Sequence, residues 1–168
     1  AIGGVAKGHM VREIDALGGF MALNTDATAI QFRMLNRAKG PSVHSPRAQC
    51  DKKAYPFRAK AVLEDTPNLE LFQGSVARLL VADDAITGLV TTLGLELQAR
   101  AVVVSAGTFM RGLLHVGLRN QSGGRLGDGG SLLSDNLREL GFEVGRFKTG
   151  TPCRLNGRSI DFSQCDRQ

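Results

Sequence analysis

Ala101-Val102-Val103-Val104-Ser105-Ala106-Gly107-Thr108 is the stretch on which the fold turns. A continuous apolar run of this kind predicts a strand buried on both faces, as in a parallel α/β sheet. It closes in a turn of small residues, where a ligand can approach the backbone. Upstream, Leu69–Phe72, Ser75–Val81, Ile86–Thr92 and Leu95–Ala99 read as short strands separated by Gly74, Asp83-Asp84 and Gly94. Asp83-Asp84 suits a hairpin turn, so three of these strands are expected to form an antiparallel meander.

Downstream lies a glycine-rich loop, Gly117 to Gly130, containing Ser122-Gly123-Gly124-Arg125 and Gly127-Asp128-Gly129-Gly130. Ser131 then suits the N-cap of a helix with Leu132, Leu133, Leu137 and Leu140 on one side and Gly141 at its end. Phe142–Lys148 reads as a further strand, Thr149–Pro152 as a turn, and the remainder as loop. Toward the N-terminus, Met10, Val11, Ile14 and Leu17 share one face of a helix over Gly8–Leu17, stopped by Gly18-Gly19. Ile2-Gly3-Gly4-Val5-Ala6-Lys7 precedes it, and two glycines before a helix start make a plausible anion cradle. The Gly-Lys-Ser/Thr order of a P-loop is missing. Ile30–Asn36 is a short apolar-polar segment. Pro46–Asp65 has helix-like composition, with Pro56 expected to kink or divide it.

The 168 residues are 42% hydrophobic and 22% charged, within the globular range. Glycine, at 21 residues, is in excess of that range, which points to tight turns and close backbone approach. The first residue, Ala1, stands inside an Ala-Ile-Gly-Gly run with no Met before it, which reads as the middle of a longer sequence. No apolar run approaches the ~20 residues of a membrane span, and no signal peptide opens the chain. Net charge is +6 over residues 1–60, −4 over 61–100 and +3 over 101–168. The densest basic stretch, from Arg33 to Lys60, is opposed only by Asp51 and can attract phosphates or simply be a solvated helix face. Trp is absent and Tyr55 is the only Tyr, which argues against a single-strand binder built on aromatic stacking. Cys50, Cys153 and Cys165 are an odd set without a CxxC, suited to a reducing compartment. With His9, His44 and His115 far from them, no metal site is expected.

No GxGxxG occurs. The order of helix, basic helix, strand, meander, buried strand and small-residue turn is nevertheless that found downstream of such a motif in two-dinucleotide flavoproteins. The fold expected is α/β: part of a Rossmann-like parallel sheet of the FAD/NAD(P)-binding kind with an inserted antiparallel meander at about 69–99.

Several blocks carry a resemblance. AIGGVAKGHMVREIDALGG (1–19), IQFRMLNRAKGPSV (30–43), PRAQCD (46–51), SAGTF (105–109), SGGR with GD (122–128), KTGTP with R (148–154) and RSIDFS (158–163) occur in this order. Together they resemble the FAD domain of the tRNA uridine 5-carboxymethylaminomethyl modification enzymes, the MnmG or GidA family. The resemblance implies an internal piece of an FAD- and NADH-dependent, homodimeric enzyme. With the GTPase MnmE, it adds an aminomethyl-type group to C5 of the wobble uridine of tRNA. Methylenetetrahydrofolate is the one-carbon donor. Localisation is then cytoplasmic in a bacterium, or mitochondrial for a eukaryotic relative. Residues 1–150 would be the partial FAD-binding domain, and 151–168 the start of a second inserted domain.

By the same resemblance, Val76 matches the adenine-side FAD contact and Ser131 a second FAD position. Ala106, Gly107 and Thr108 match the turn that packs on the FAD, and Gly3 and Gly4 the segment near the flavin. Lys7, Lys39, Arg47, Gln49, Lys148 and Arg154 match the cofactor side, where folate, NADH or tRNA phosphate binds. Arg47 is the best placed of these for a bidentate anion contact. The family's catalytic cysteines are matched by none of Cys50, Cys153 and Cys165. Two alternatives remain: a related flavoprotein such as a folate-dependent tRNA methyltransferase, or a cofactor-free basic RNA-binding module.

Overall fold

The computed structural model describes residues 2–150 and 155–166. It divides into two compact units, residues 1–73 and 74–168.

In the first unit β1 (Ile2–Gly3), β2 (Ala29–Leu35) and β3 (Ser45–Cys50) form an antiparallel sheet of order β1-β3-β2. Helix α1 (Lys7–Ala16) forms as its pattern predicts and ends at Gly18-Gly19, whose amides reach back to the Asp15 and Ile14 carbonyls. Helix α2 (Phe20–Thr28) is not legible in the apolar pattern, because its buried positions are Asn24, Thr25 and Thr28. Each hydroxyl is satisfied within the helix: Thr25 Oγ1 donates to the Met21 carbonyl and Thr28 Oγ1 to the Asn24 carbonyl, both at 2.7 Å.

Helix α3 (Ala54–Glu64) corrects the expectation of helix over 46–65, kinked or divided at Pro56. Residues 46–50 are strand, so the basic stretch is shared among β2, β3 and α3 and is not one helix face. Pro56 falls in the first turn of α3, where a missing N–H removes no intrahelical bond, and no kink is needed. Asp51 starts this helix instead: its Oδ1 accepts from the Lys53 and Ala54 amides at 2.8 Å each.

In the second unit β4 (Val76–Ala82), β5 (Ala85–Thr91) and β6 (Glu96–Gln98) form the expected meander, in the order β4-β5-β6. Asp83 and Asp84 both have positive φ, 50° and 58°, as a two-residue hairpin turn with the strands' twist requires. Leu69–Phe72 and Phe142–Lys148, read as strands, form no ladder. Nor does the run Val102-Val103-Val104: it has no regular secondary structure and lacks a strand partner among the described residues, leaving Val103 91% exposed. An apolar run becomes a buried strand only where neighbouring strands satisfy its amides on both edges. Part of the expected 117–130 loop is a hairpin, β7 (Leu113–Val116) with β8 (Arg119–Ser122), which leaves 123–130 irregular.

Helix α4 (Leu133–Glu139) lies against the free edge of β4, where Asn136 Oδ1 accepts the Leu79 amide at 2.8 Å. Ala48, Val90 and Leu133 are the buried apolar side chains among the described residues, and many larger ones are exposed. No described helix is long and apolar enough to cross a membrane.

Candidate functional site

A cleft of about 620 Å³ opens in the second unit. Its walls are the start of β4 (Val76, Leu79), the irregular residues 102–106, Phe109 and the residues 128–131 that lead into α4. Ser131 is its corner. Its Oγ donates to the Val76 carbonyl at 3.2 Å and accepts from the Leu133 amide at 3.1 Å. Its own amide donates to the Phe109 carbonyl at 2.7 Å, and its carbonyl accepts from Arg111 N at 2.8 Å. The helix cap proper is Leu132, one residue further on than expected, although the Ser131 hydroxyl still caps an orphan amide of the first turn.

The 105–109 turn is fixed by the Phe109 amide on the Ala106 carbonyl (3.1 Å) and by Thr108 Oγ1 on the Gly124 carbonyl (2.7 Å). Gly124 is glycine for a steric reason: a Cβ there would run into the Phe109 ring. Of the residues matched to FAD contacts, Val76, Ala106 and Ser131 therefore meet on one cleft. Gly107 and Thr108 belong to the same turn but do not line it. Phe109 lines the cleft without having been singled out as a contact. Asn136, which fixes α4 to β4, carried no signal beyond an amide side chain in a helix.

The other matched residues lie in the first unit or outside regular structure. Gly3 and Gly4 lead into α1, but the cradle is already filled by protein acceptors. The Gly4 amide donates to the Pro46 carbonyl, Ala6 N to His9 Nδ1, Lys7 N to the Val5 carbonyl and Gly8 N to the Gly4 carbonyl. An anion would have to displace these bonds, so the expected backbone nest is not available. His9 also bonds through Nε2 to the His44 carbonyl at 3.0 Å, joining the glycine turn to the segment before β3. Arg47 and Gln49 lie on β3, with Arg47 Nη2 donating to Gln31 Oε1 at 3.0 Å. Lys39 and Lys148 are exposed, and Arg154 lies outside the described residues.

Two carboxylates are held below their ordinary range. Asp51 is lowered by the Ala54 and Lys53 amides, and Asp161 by the Ser163 hydroxyl and amide. Neither lines the cleft. Among the described residues Asp128 is the single ionisable one that does, and it is paired with Arg125 at 2.6 Å. The cleft's volume falls within the ~300–1,000 Å³ of small-ligand sites, and its small residues and aliphatic faces fit a flat heteroaromatic ring.

The model of one family, "Glucose inhibited division protein A", matches residues 1–168. This chain belongs to the glucose inhibited division protein A family. Curated relatives are named tRNA uridine 5-carboxymethylaminomethyl modification enzyme MnmG. That of Geobacter sulfurreducens is 56% identical over 100% of this chain and 27% of its own length. That of Chlamydia trachomatis is 54% identical over 100% of this chain and 28% of its own. Among solved structures, Aquifex aeolicus GidA in its form I crystal is 50% identical over 97% of this chain and 27% of that one, with a TM-score of 0.87. A GidA-related protein of Thermus thermophilus is 31% identical over 55% of this chain, with a TM-score of 0.50. The chain thus spans about a quarter of the length of the relatives it matches. The GidA-type α/β fold is shared with the Aquifex structure over nearly all of it.

Proposed function

We propose that this chain is the FAD-binding portion of a flavoenzyme that modifies tRNA. With the GTPase MnmE, that enzyme adds a (carboxymethyl)aminomethyl group to C5 of the wobble uridine, using NADH and methylenetetrahydrofolate. Residues 1–150 belong to its FAD-binding domain and 151–168 open the next, in a homodimer of the bacterial cytoplasm. The observation that carries the reading is the meeting of Val76, Ala106 and Ser131 on one cleft in a chain of this family. The chain matches GidA more fully than it matches the GidA-related protein, which supports this reading.

The residues divide the work. Val76, at the start of β4, and the small residues 105–107 give a ring or a phosphate backbone-close approach. Leu79, Leu133 and Phe109 exclude water from the apolar face. Ser131 keeps the two walls at a fixed distance by bonding across them. When bound, FAD supplies the hydride and electron chemistry that these side chains lack. Gly3 and Gly4 are matched by the family resemblance to the segment near the flavin, and Lys7, Lys39, Gln49, Lys148 and Arg154 serve the folate, NADH and tRNA side, where positive charge attracts phosphate. The test is to purify the whole protein and record its visible spectrum, then assay wobble-uridine modification with MnmE, NADH and the folate. A yellow protein that modifies tRNA is expected. A colourless protein that takes up no FAD would leave the RNA-binding module as the better reading.

A further inference from the structure

We propose that the sheet face bearing Arg33 and Arg47 is a binding site for the phosphate group of a nucleotide ligand. Arg33 on β2 stands directly opposite Arg47 on β3 in the antiparallel register. Opposed residues of such a pair project from the same face, with Cβ atoms about 4.5–5.5 Å apart, and like charges there repel. Among the described residues no carboxylate pairs with either: the four ion pairs all involve other residues.

Arg47 is half-buried, and its Nε is fully buried without a hydrogen-bond partner. Its one side-chain bond among the described residues, from Nη2 to Gln31 Oε1, orients the guanidinium without neutralising it. On the other side of β3, the residue opposite Arg47 is Gly3, which has no side chain to cover it. A Cβ at Gly3 would collide with the Pro46 carbonyl, so that opening is built into the strand pairing.

A half-buried guanidinium beside a second one, with no carboxylate paired to either among the described residues, is poor design for stability. It is good design for a dianion. A planar fork bonds two oxygens of a tetrahedral oxyanion at once, and the second cation matches the remaining charge of a phosphate better than that of a monovalent carboxylate. The source of the phosphate, a dinucleotide or the tRNA backbone, rests on the function proposed above; the site itself does not.

The experiment titrates the whole protein with inorganic pyrophosphate, NADH and a tRNA anticodon stem–loop, by calorimetry and by thermal unfolding. Arg33→Gln and Arg47→Lys are compared with the wild type. Pyrophosphate is expected to bind saturably and raise the unfolding temperature of the wild type. Arg33→Gln removes the repulsion, so the free protein unfolds at the same or a higher temperature, yet its pyrophosphate affinity falls at least about tenfold. Arg47→Lys keeps the charge, loses the fork and falls by a similar factor. Loss of NADH affinity alone assigns the phosphate to the dinucleotide, and loss of RNA affinity alone assigns it to tRNA; both sustain the site. The proposal is overturned if the wild type ignores pyrophosphate, or if both variants bind all three probes within about twofold of it. Flavin content is unchanged in both variants, so a colourless preparation counts against the cleft and not against this site.

Discussion

Asn24 shows how much one polar side chain can organise. It is fully buried; its Nδ2 donates to the Tyr55 carbonyl at 3.1 Å, and its Oδ1 accepts from Arg58 Nη1 at 3.1 Å. Arg58 in turn lies over the Phe20 ring at 5.5 Å. Asn24→Ala strands two half-buried partners and is expected to cost about 1–3 kcal/mol, read from the urea midpoint of the whole protein. Asp51 gives a pH signature. Its folded pKa is depressed by two amides, so its contribution is complete above the unfolded carboxylate value of 3.8 and fades as pH falls through the folded one. The stability difference between wild type and Asp51→Asn should therefore be present at pH 7 and close below pH 3.8. At this scale the sequence was only partly readable. Val76 and Ser131 are marked by the family resemblance, while Asn24 and Asn136 carry no signal in the sequence, because an amide's partners lie 31 to 57 residues away.

Among elements, the meander was the most legible, because period-two strands and an Asp-Asp turn are both local signals. Both turn residues occupy the left-handed region. Asp84→Gly should preserve or slightly raise the unfolding temperature, whereas Asp84→Val should lower stability by about 1–2 kcal/mol, since a β-branched residue resists positive φ. Thermal unfolding of the pair distinguishes the two directions. Helix α2 was hidden because its buried side is polar and its apolar residues Met21 and Leu23 face outward. The run 101–104 was misleading for the opposite reason. Composition states what a segment can bury, but hydrogen-bond partners decide whether it does so.

The whole molecule leaves large apolar side chains in water: Phe32, Phe147, Val103 and Leu118 are all exposed. A chain of 168 residues with three buried apolar side chains among those described has little core to oppose its conformational entropy. Expressed as these 168 residues alone, it should bind a hydrophobic dye such as ANS and unfold over a broad range. Sharp cooperative unfolding without dye binding would contradict that. The family and the α/β class were legible in the sequence because the motif blocks span the chain in order. The run 101–104 was misread as a buried strand, because composition alone does not show that it has no ladder partner among the described residues.

The cleft of the second unit can be tested most directly by filling it. Gly129 lines it, and a Cβ there meets nothing within 4 Å, so Gly129→Leu projects bulk at no backbone cost. FAD retention by the whole protein, measured by equilibrium dialysis, should fall at least about tenfold in this variant while circular dichroism and unfolding temperature stay unchanged. Retention equal to wild type in a folded Gly129→Leu protein would place the flavin elsewhere.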